Sequence, residues 1–170
     1  MNDHDHLIKW LNEAHTMEQS MLQVLEGHAL LAGNLQEIRS GLEKHRAETL
    51  HHRDQVAQCL RLLGQQPSSV RTVMATASGV AQGVSTILAR DAILKNAQAD
   101  YAAESAEIAL YTTLITAAEQ GNRADIAALC RGILEEEVEM AAWLEERIPE
   151  LTVLTLAARE GVVIPGASHA

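Results

Sequence analysis

Four glutamates stand in this sequence where hydrocarbon side chains would be expected. Glu18, Glu48, Glu104 and Glu137 each fall near the middle of a long stretch with helical periodicity, on or beside its apolar face. Burying a carboxylate is costly unless an opposite charge or hydrogen bond compensates it. A fold open to this chain must therefore bring these carboxylates to a shared positive charge, and a metal ion is the simplest one that four of them can share.

The stretches themselves are well marked. In residues 3–31, Leu7, Leu11, Ala14, Glu18, Leu22, Leu25 and Ala29 recur at three- and four-residue steps, with Glu18 central. Residues 35–63 carry Ile38, Leu42, His45, Val56, Leu60 and Leu63 on one side, with His52 in phase and Glu48 nearer the edge. In residues 91–120 the expected stripe is Ile93, Ala97, Tyr101, Glu104, Ile108, Tyr111, Ile115 and Ala118, with Glu107 on its flank. In residues 123–147 it is Ile126, Cys130, Ile133, Glu137, Ala141, Leu144 and Ile148. Pro149 is expected to close this last helix, and Asn122 to cap its start.

Gly33 and Asn34 mark one turn and Gly121 and Asn122 another. Glu18 and Glu48 are equidistant from the first, and Glu104 and Glu137 from the second. In antiparallel hairpins such residues face each other, and the two pairs lie at similar distances from their turns. A generic amphipathic bundle has no need of this register.

Residues 64–90 differ in character, being rich in Gly, Ser, Thr and Ala. They are expected to form a long crossover with one short extra helix near residues 70–81. A crossover of this length starts the third long helix at the same end as the second, which is the connection of ferritin-like bundles. The expected fold is all-α: a ferritin-like four-helix bundle over residues 1–150, with a helical extension and tail over residues 151–170.

Composition agrees. The chain has 170 residues, three prolines, no Phe and 2% aromatics, so its core must be aliphatic. Its formal net charge of −10, with no stripe of Lys or Arg, argues against nucleic acid as a partner. There is no signal-peptide pattern and no run of the roughly 20 apolar residues a membrane helix needs. The expected setting is the cytoplasm, with Cys59 and Cys130 as two separate buried thiols.

The run His45-Arg46-Ala47-Glu48-Thr49, the run Glu104-Ser105-Ala106-Glu107-Ile108-Ala109-Leu110-Tyr111, and Ile133-Leu134-Glu135-Glu136-Glu137 followed by Met140-Ala141-Ala142-Trp143-Leu144 resemble the YciE/YciF family of bacterial stress proteins. The opening, with Trp10-Leu11, Ala14-His15 and Met17-Glu18, is similar to the YciE branch. The resemblance runs through nearly the whole chain. It implies a ferritin-like homodimer, a role in stress response, and a dimetal-type site of Glu18, Glu48, Glu104, Glu107 and Glu137. Two departures stand out: position 52, usually Gln in that family, is His52, and Met140 stands where rubrerythrin-like proteins have a helix-4 histidine.

Glu48-Thr49-Leu50-His51 spells the E-x-x-H of di-iron bundles, but at about 100° per residue His51 points away from the stripe. His45 and His52 are the inward histidines and join the five glutamates as candidate ligands. His15 is a candidate supporting partner. Glu135, Glu136 and Glu139 read as a solvated charge run, Tyr111 as core packing, and Trp10 and Trp143 as stripe-edge residues. Carboxylates with imidazoles suit Fe(II), Mn(II) or Zn(II). Bridging carboxylates can hold two ions about 3.5–4 Å apart, a spacing that serves oxygen or peroxide chemistry. By resemblance iron comes first and manganese second, with one or two ions. Two alternatives stand beside this: an interaction bundle whose site has decayed, and a manganese enzyme resembling manganese catalase.

Overall fold

The computed structural model describes residues 3–68 and 91–159. Four long helices account for almost all of them, and no strand occurs among them: α1 (Asp3–Leu31), α2 (Gln36–Leu62), α3 (Ala92–Gln120) and α4 (Ala124–Arg159). Most of the crossover, the short helix expected near residues 70–81 and the final tail lie outside the described residues.

Side-chain pairings fix the topology. Arg53 reaches Gln19 and Arg46 reaches Glu26, so α1 and α2 run antiparallel. Glu119 pairs with Arg131 across the α3–α4 hairpin. Glu18 meets Tyr111 and His28 meets Asp100, so α1 and α3 are antiparallel neighbours as well. Glu37 meets Arg147 and His52 meets Glu136, so the same holds for α2 and α4. The two diagonals, α1–α4 and α2–α3, are then parallel. This is a four-helix bundle with the ferritin-like crossover between its second and third helices.

The helix ends follow from local chemistry. Gly33 and Gly64 take φ of +55° and +72°, the left-handed region that costs glycine little. At the end of α2 the amides of Gly64 and Gln65 donate to the carbonyls of Arg61 and Leu60, a Schellman closure. Asn122, with φ +56°, makes the same closure for α3 through bonds to Glu119 and from Arg123 to Ala118. It therefore terminates α3 rather than capping α4. Pro149 does not close α4 either: the helix continues to Arg159. Proline removes one amide donor, but Leu151 is fully buried and Leu154 packs beside it on the same core cluster, so burial beyond the proline outweighs the lost bond.

The apolar core is not continuous. One cluster, around Leu11, Leu60, Leu114 and Ile133, fills one end of the bundle; a second, around Leu25, Leu42, Met140 and Leu144, fills the other. Between them lies a layer of buried polar side chains: Glu18, His45, Thr49, His52, Glu104, Glu107 and Glu137. The α3 stripe is rotated from its expected phase. Asn96, Asp100, Glu104, Glu107, Tyr111 and Leu114 face inward, while Tyr101, Ile108 and Ile115 are half-buried. The helix has turned its acidic side into the core, at the expense of apolar side chains.

The contact between α2 and α4 gives a stability test. A Cβ on Gly41 would lie 2.4 Å from the Trp143 indole, which is itself stacked under Arg147. Gly27, one turn before the end of α1, has nothing within 4 Å. Gly41→Ala should therefore destabilise by about 1–2 kcal/mol through overpacking, with a change in Trp143 emission. Gly27→Ala should stabilise by about 0.5–1 kcal/mol through helix propensity alone. Paired urea denaturation curves check both signs.

Candidate metal centre

Each helix supplies the layer through its inward stripe. Glu18 comes from α1, His45 and His52 from α2, Glu104 and Glu107 from α3, and Glu137 from α4. These donors make two groups, Glu18–His52–Glu137 and His45–Glu104–Glu137, in each of which the ligand atoms lie within 4.8 Å of one another. Glu137 belongs to both, so its carboxylate stands between two tripods. Donors around an ion bound at about 2.1 Å are at most about 4.2 Å apart, so only small shifts separate these groups from a ligand set.

The hydrogen-bond inventory supports the fit. Glu18 Oε2, Glu107 Oε1 and both carboxylate oxygens of Glu104 and Glu137 are buried without a hydrogen-bond partner. His52 Nδ1 stands 2.9 Å from Glu137 Oε1 and 3.8 Å from Glu18 Oε2, and His45 Nε2 stands 3.2 Å from Glu104 Oε1 and 3.7 Å from Glu137 Oε2. These are ion-pair distances without the alignment of hydrogen bonds. Unmet carboxylate oxygens on several buried side chains at once are what a bound cation would satisfy.

The two imidazoles are placed alike, but only His52 has a hydrogen bond on its outer nitrogen. Each turns one nitrogen toward the shared carboxylates and the other toward a peripheral one. His52 Nε2 is 2.7 Å from Glu136 Oε2, and His45 Nδ1 is 3.5 Å from Glu48 Oε2. A carboxylate on the far nitrogen fixes ring orientation and raises the basicity of the near one. Tyr111, fully buried, donates its hydroxyl to Glu18 Oε1 and so orients that carboxylate.

The electrostatics follow from burial of like charges. Burial, and then the Glu137 charge, push the Glu18 carboxyl up to about 8. Burial raises Glu104 and Glu137 to about 7 each. Glu107 is raised well above the ordinary carboxylate range, by burial and by the charges of Glu137, Glu18 and Glu104. Burial opposes charge on His52, but the Glu137 carboxylate 2.9 Å away, with those of Glu18 and Glu136, outweighs that and raises it to about 9. Burial lowers His45, leaving it the neutral imidazole that can ligate directly.

Of the seven candidate ligands read from the sequence, five fall into the two groups: Glu18, His45, His52, Glu104 and Glu137. Glu107 is buried close to them but belongs to neither group. Glu48 also stands outside both; it is half-buried and accepts a 2.5 Å bond from Lys44. His45 and His52 are seven residues apart and share a face, whereas Glu48 is rotated about 60° from His45 toward the edge. Glu136, read as solvated, reaches back to His52. His51 is exposed, and His15 is half-buried and enters neither group. The sequence reading missed His28 and Asp100, a partly buried pair at 2.8 Å with Asp100 one turn along α3 from Glu104. An acidic residue four before Glu104 on the inward face was the available signal.

Fold and centre together define a ferritin-like four-helix bundle with a buried carboxylate–histidine site. The chain belongs to the family described as "Domain of unknown function (DUF892)", whose model matches residues 2–157, the YciE/YciF type of ferritin-like protein. It is similar to a solved protein from Xanthomonas campestris at 27% identity and a TM-score of 0.79, over 94% of this chain and 99% of that one. The Escherichia coli stress protein YciF aligns at 21% identity and a TM-score of 0.73, over 94% and 98% of the two chains. A Desulfovibrio desulfuricans bacterioferritin, whose structure concerns its diiron site, aligns at 20% identity and a TM-score of 0.67, over 100% of this chain and 96% of that one.

The pKa directions predict a pH response of the metal-free protein. Glu18, Glu104 and Glu137 have folded values above the ordinary 4.5, so their contribution is complete below that pH and is lost as pH rises through about 7–8. The raised His52 contributes fully below 6.5 and loses its share through about 9. His45, lowered, acts only below 6.5. Between pH 6.5 and 9 the melting temperature of chelator-treated protein should therefore fall, and saturating Mn(II) should flatten the fall. Circular-dichroism melts with and without Mn(II) measure both.

Proposed function

We propose that this protein binds one or two first-row divalent metal ions, iron foremost, in the layer between its two apolar clusters, and serves a bacterial stress response. The observation that carries the reading is the set of buried, unpartnered carboxylate oxygens on Glu18, Glu104, Glu107 and Glu137, arranged around one shared carboxylate. Glu18, His52 and Glu137 would hold one ion; His45, Glu104 and Glu137 would hold the other. Oxygen-rich sites with one imidazole per ion suit Fe(II) or Mn(II), with Zn(II) as a further occupant. Such ions would supply oxygen or peroxide chemistry. The chain's own residues hold the donors in place: Tyr111 orients Glu18, Glu136 holds the outer nitrogen of His52, and Glu48 stands 3.5 Å from that of His45. The flanking apolar clusters limit access of bulk water. The stress role draws on family membership and on the likeness to YciF, a stress protein, and the iron on the diiron site of the bacterioferritin. The reading includes a cytoplasmic homodimer; no described helix is long and apolar enough to cross a membrane.

The bundle with a decayed site remains the competing reading, because Met140 occupies the place of a helix-4 histidine. Here both imidazoles come from α2 instead, which replaces that missing donor. Protein purified without chelator should carry one or two ions per chain by elemental analysis. Glu137→Gln should weaken Mn(II) affinity about 100-fold or more, yet raise the melting temperature of the metal-free protein, because it removes a buried negative charge. A purely structural glutamate would show no affinity loss. Metal-free wild type with no measurable Mn(II) affinity would overturn the proposal.

A further inference from the structure

Seven residues beyond His52 on α2 lies Cys59, and seven before Glu137 on α4 lies Cys130. His52 and Glu137 face each other across these antiparallel helices at 2.9 Å. Two helical turns in opposite chain directions keep the same facing register, so the two cysteines meet as well. Both thiols are free, fully buried and part of one core cluster, and each shifts the ionisation of the other. The pairing was hidden in the sequence, where the two stand 71 positions apart and no turn fixes the register of α2 against α4.

We propose that Cys59 and Cys130 form an oxidisable dithiol, a modification site at which a hydroperoxide closes an intramolecular disulfide between α2 and α4. A disulfide needs its two Cα atoms about 4.4–6.8 Å apart, and the shared facing register of Cys59 and Cys130 within one core cluster is what brings them toward that span. The two thiols are not equivalent. The Cys130 thiol outweighs burial and holds the Cys59 thiol below its ordinary value, while Cys59, then burial, pushes Cys130 up. The thiolate is the reactive form, so Cys59 attacks first. Access follows from its place in the last turn of α2, since opening one terminal turn costs far less than opening the bundle.

The chemistry balances. The Cys59 thiolate attacks one peroxide oxygen and the O–O bond breaks; the departing hydroxide takes a proton and leaves as water. Cys59 is then a sulfenic acid. The Cys130 sulfur attacks the Cys59 sulfur, the S–O bond breaks, and the second hydroxide takes the Cys130 proton to give the second water. Two electrons and two protons pass from the dithiol to one peroxide.

The full chain, as purified and reduced, is treated with hydrogen peroxide or with diamide, then denatured, alkylated and weighed. The expected product loses about 2 Da, takes up no alkylating agent, and yields a cross-linked tryptic peptide joining residues 54–61 to residues 124–131. Its melting temperature should equal or exceed that of the reduced protein, as for a link that fits the native bundle. In Cys130→Ser, Cys59 should be trapped by dimedone as the sulfenic acid. In Cys59→Ser, Cys130 should stay alkylatable. Full alkylation after peroxide, a link formed by diamide alone, separate sulfinic or sulfonic acids, links only between chains, or a lowered melting temperature would each overturn the proposal.

Discussion

The structure depends on one unfavourable interaction: several carboxylates held together out of water. A four-helix bundle of this length could bury a continuous aliphatic core. This one gives up its middle layer to Glu18, Glu104, Glu107 and Glu137, and separates its hydrocarbon into two clusters to do so. Buried like charges repel, and each loses its hydration. Two imidazoles relieve part of this. Raised carboxyl pKa values relieve more, by keeping protons in the layer where no cation is bound. The arrangement makes physical sense as a cation site, because only a shared positive charge satisfies so many oxygens at once.

The same constraint explains the rest of the layer. Glu137 lies between the two groups because α4 packs against both α2 and α3. His45 and His52 lie on one helix, two turns apart, and reach past either side of it. Tyr111, Glu136 and Glu48 are the outer brace. The rotation of α3, which buries Asp100, Glu104 and Glu107 and leaves Tyr101 and Ile108 half-buried, makes sense only if the inward acids serve some purpose.

Much of this was legible in the sequence, and for identifiable reasons. Long helices with sharp stripes and glycine- or asparagine-marked turns leave little freedom, so the bundle, its crossover connection and the inward places of Glu18, Glu104 and Glu137 could be read from periodicity and symmetry about the turns. Periodicity fails where a residue sits on a stripe edge. Glu48 and Glu136 both lie there. Side-chain reach, which a helical wheel does not contain, gives one to a lysine and His45 and the other to His52. The continuation past Pro149 escaped because local propensity was outweighed by burial of Leu151. His28–Asp100 and Cys59–Cys130 escaped because each joins helices that no turn connects, so no symmetry about a turn fixes their register.

The most direct measurement is anomalous diffraction from crystals grown with Mn(II) or Fe(II), collected on both sides of the metal edge. The account predicts one or two anomalous peaks in the buried layer, each in contact with Glu137, with His52 and Glu18 beside one and His45 and Glu104 beside the other. Anomalous density confined to surface carboxylates, with the Glu137 oxygens still unliganded, would contradict it.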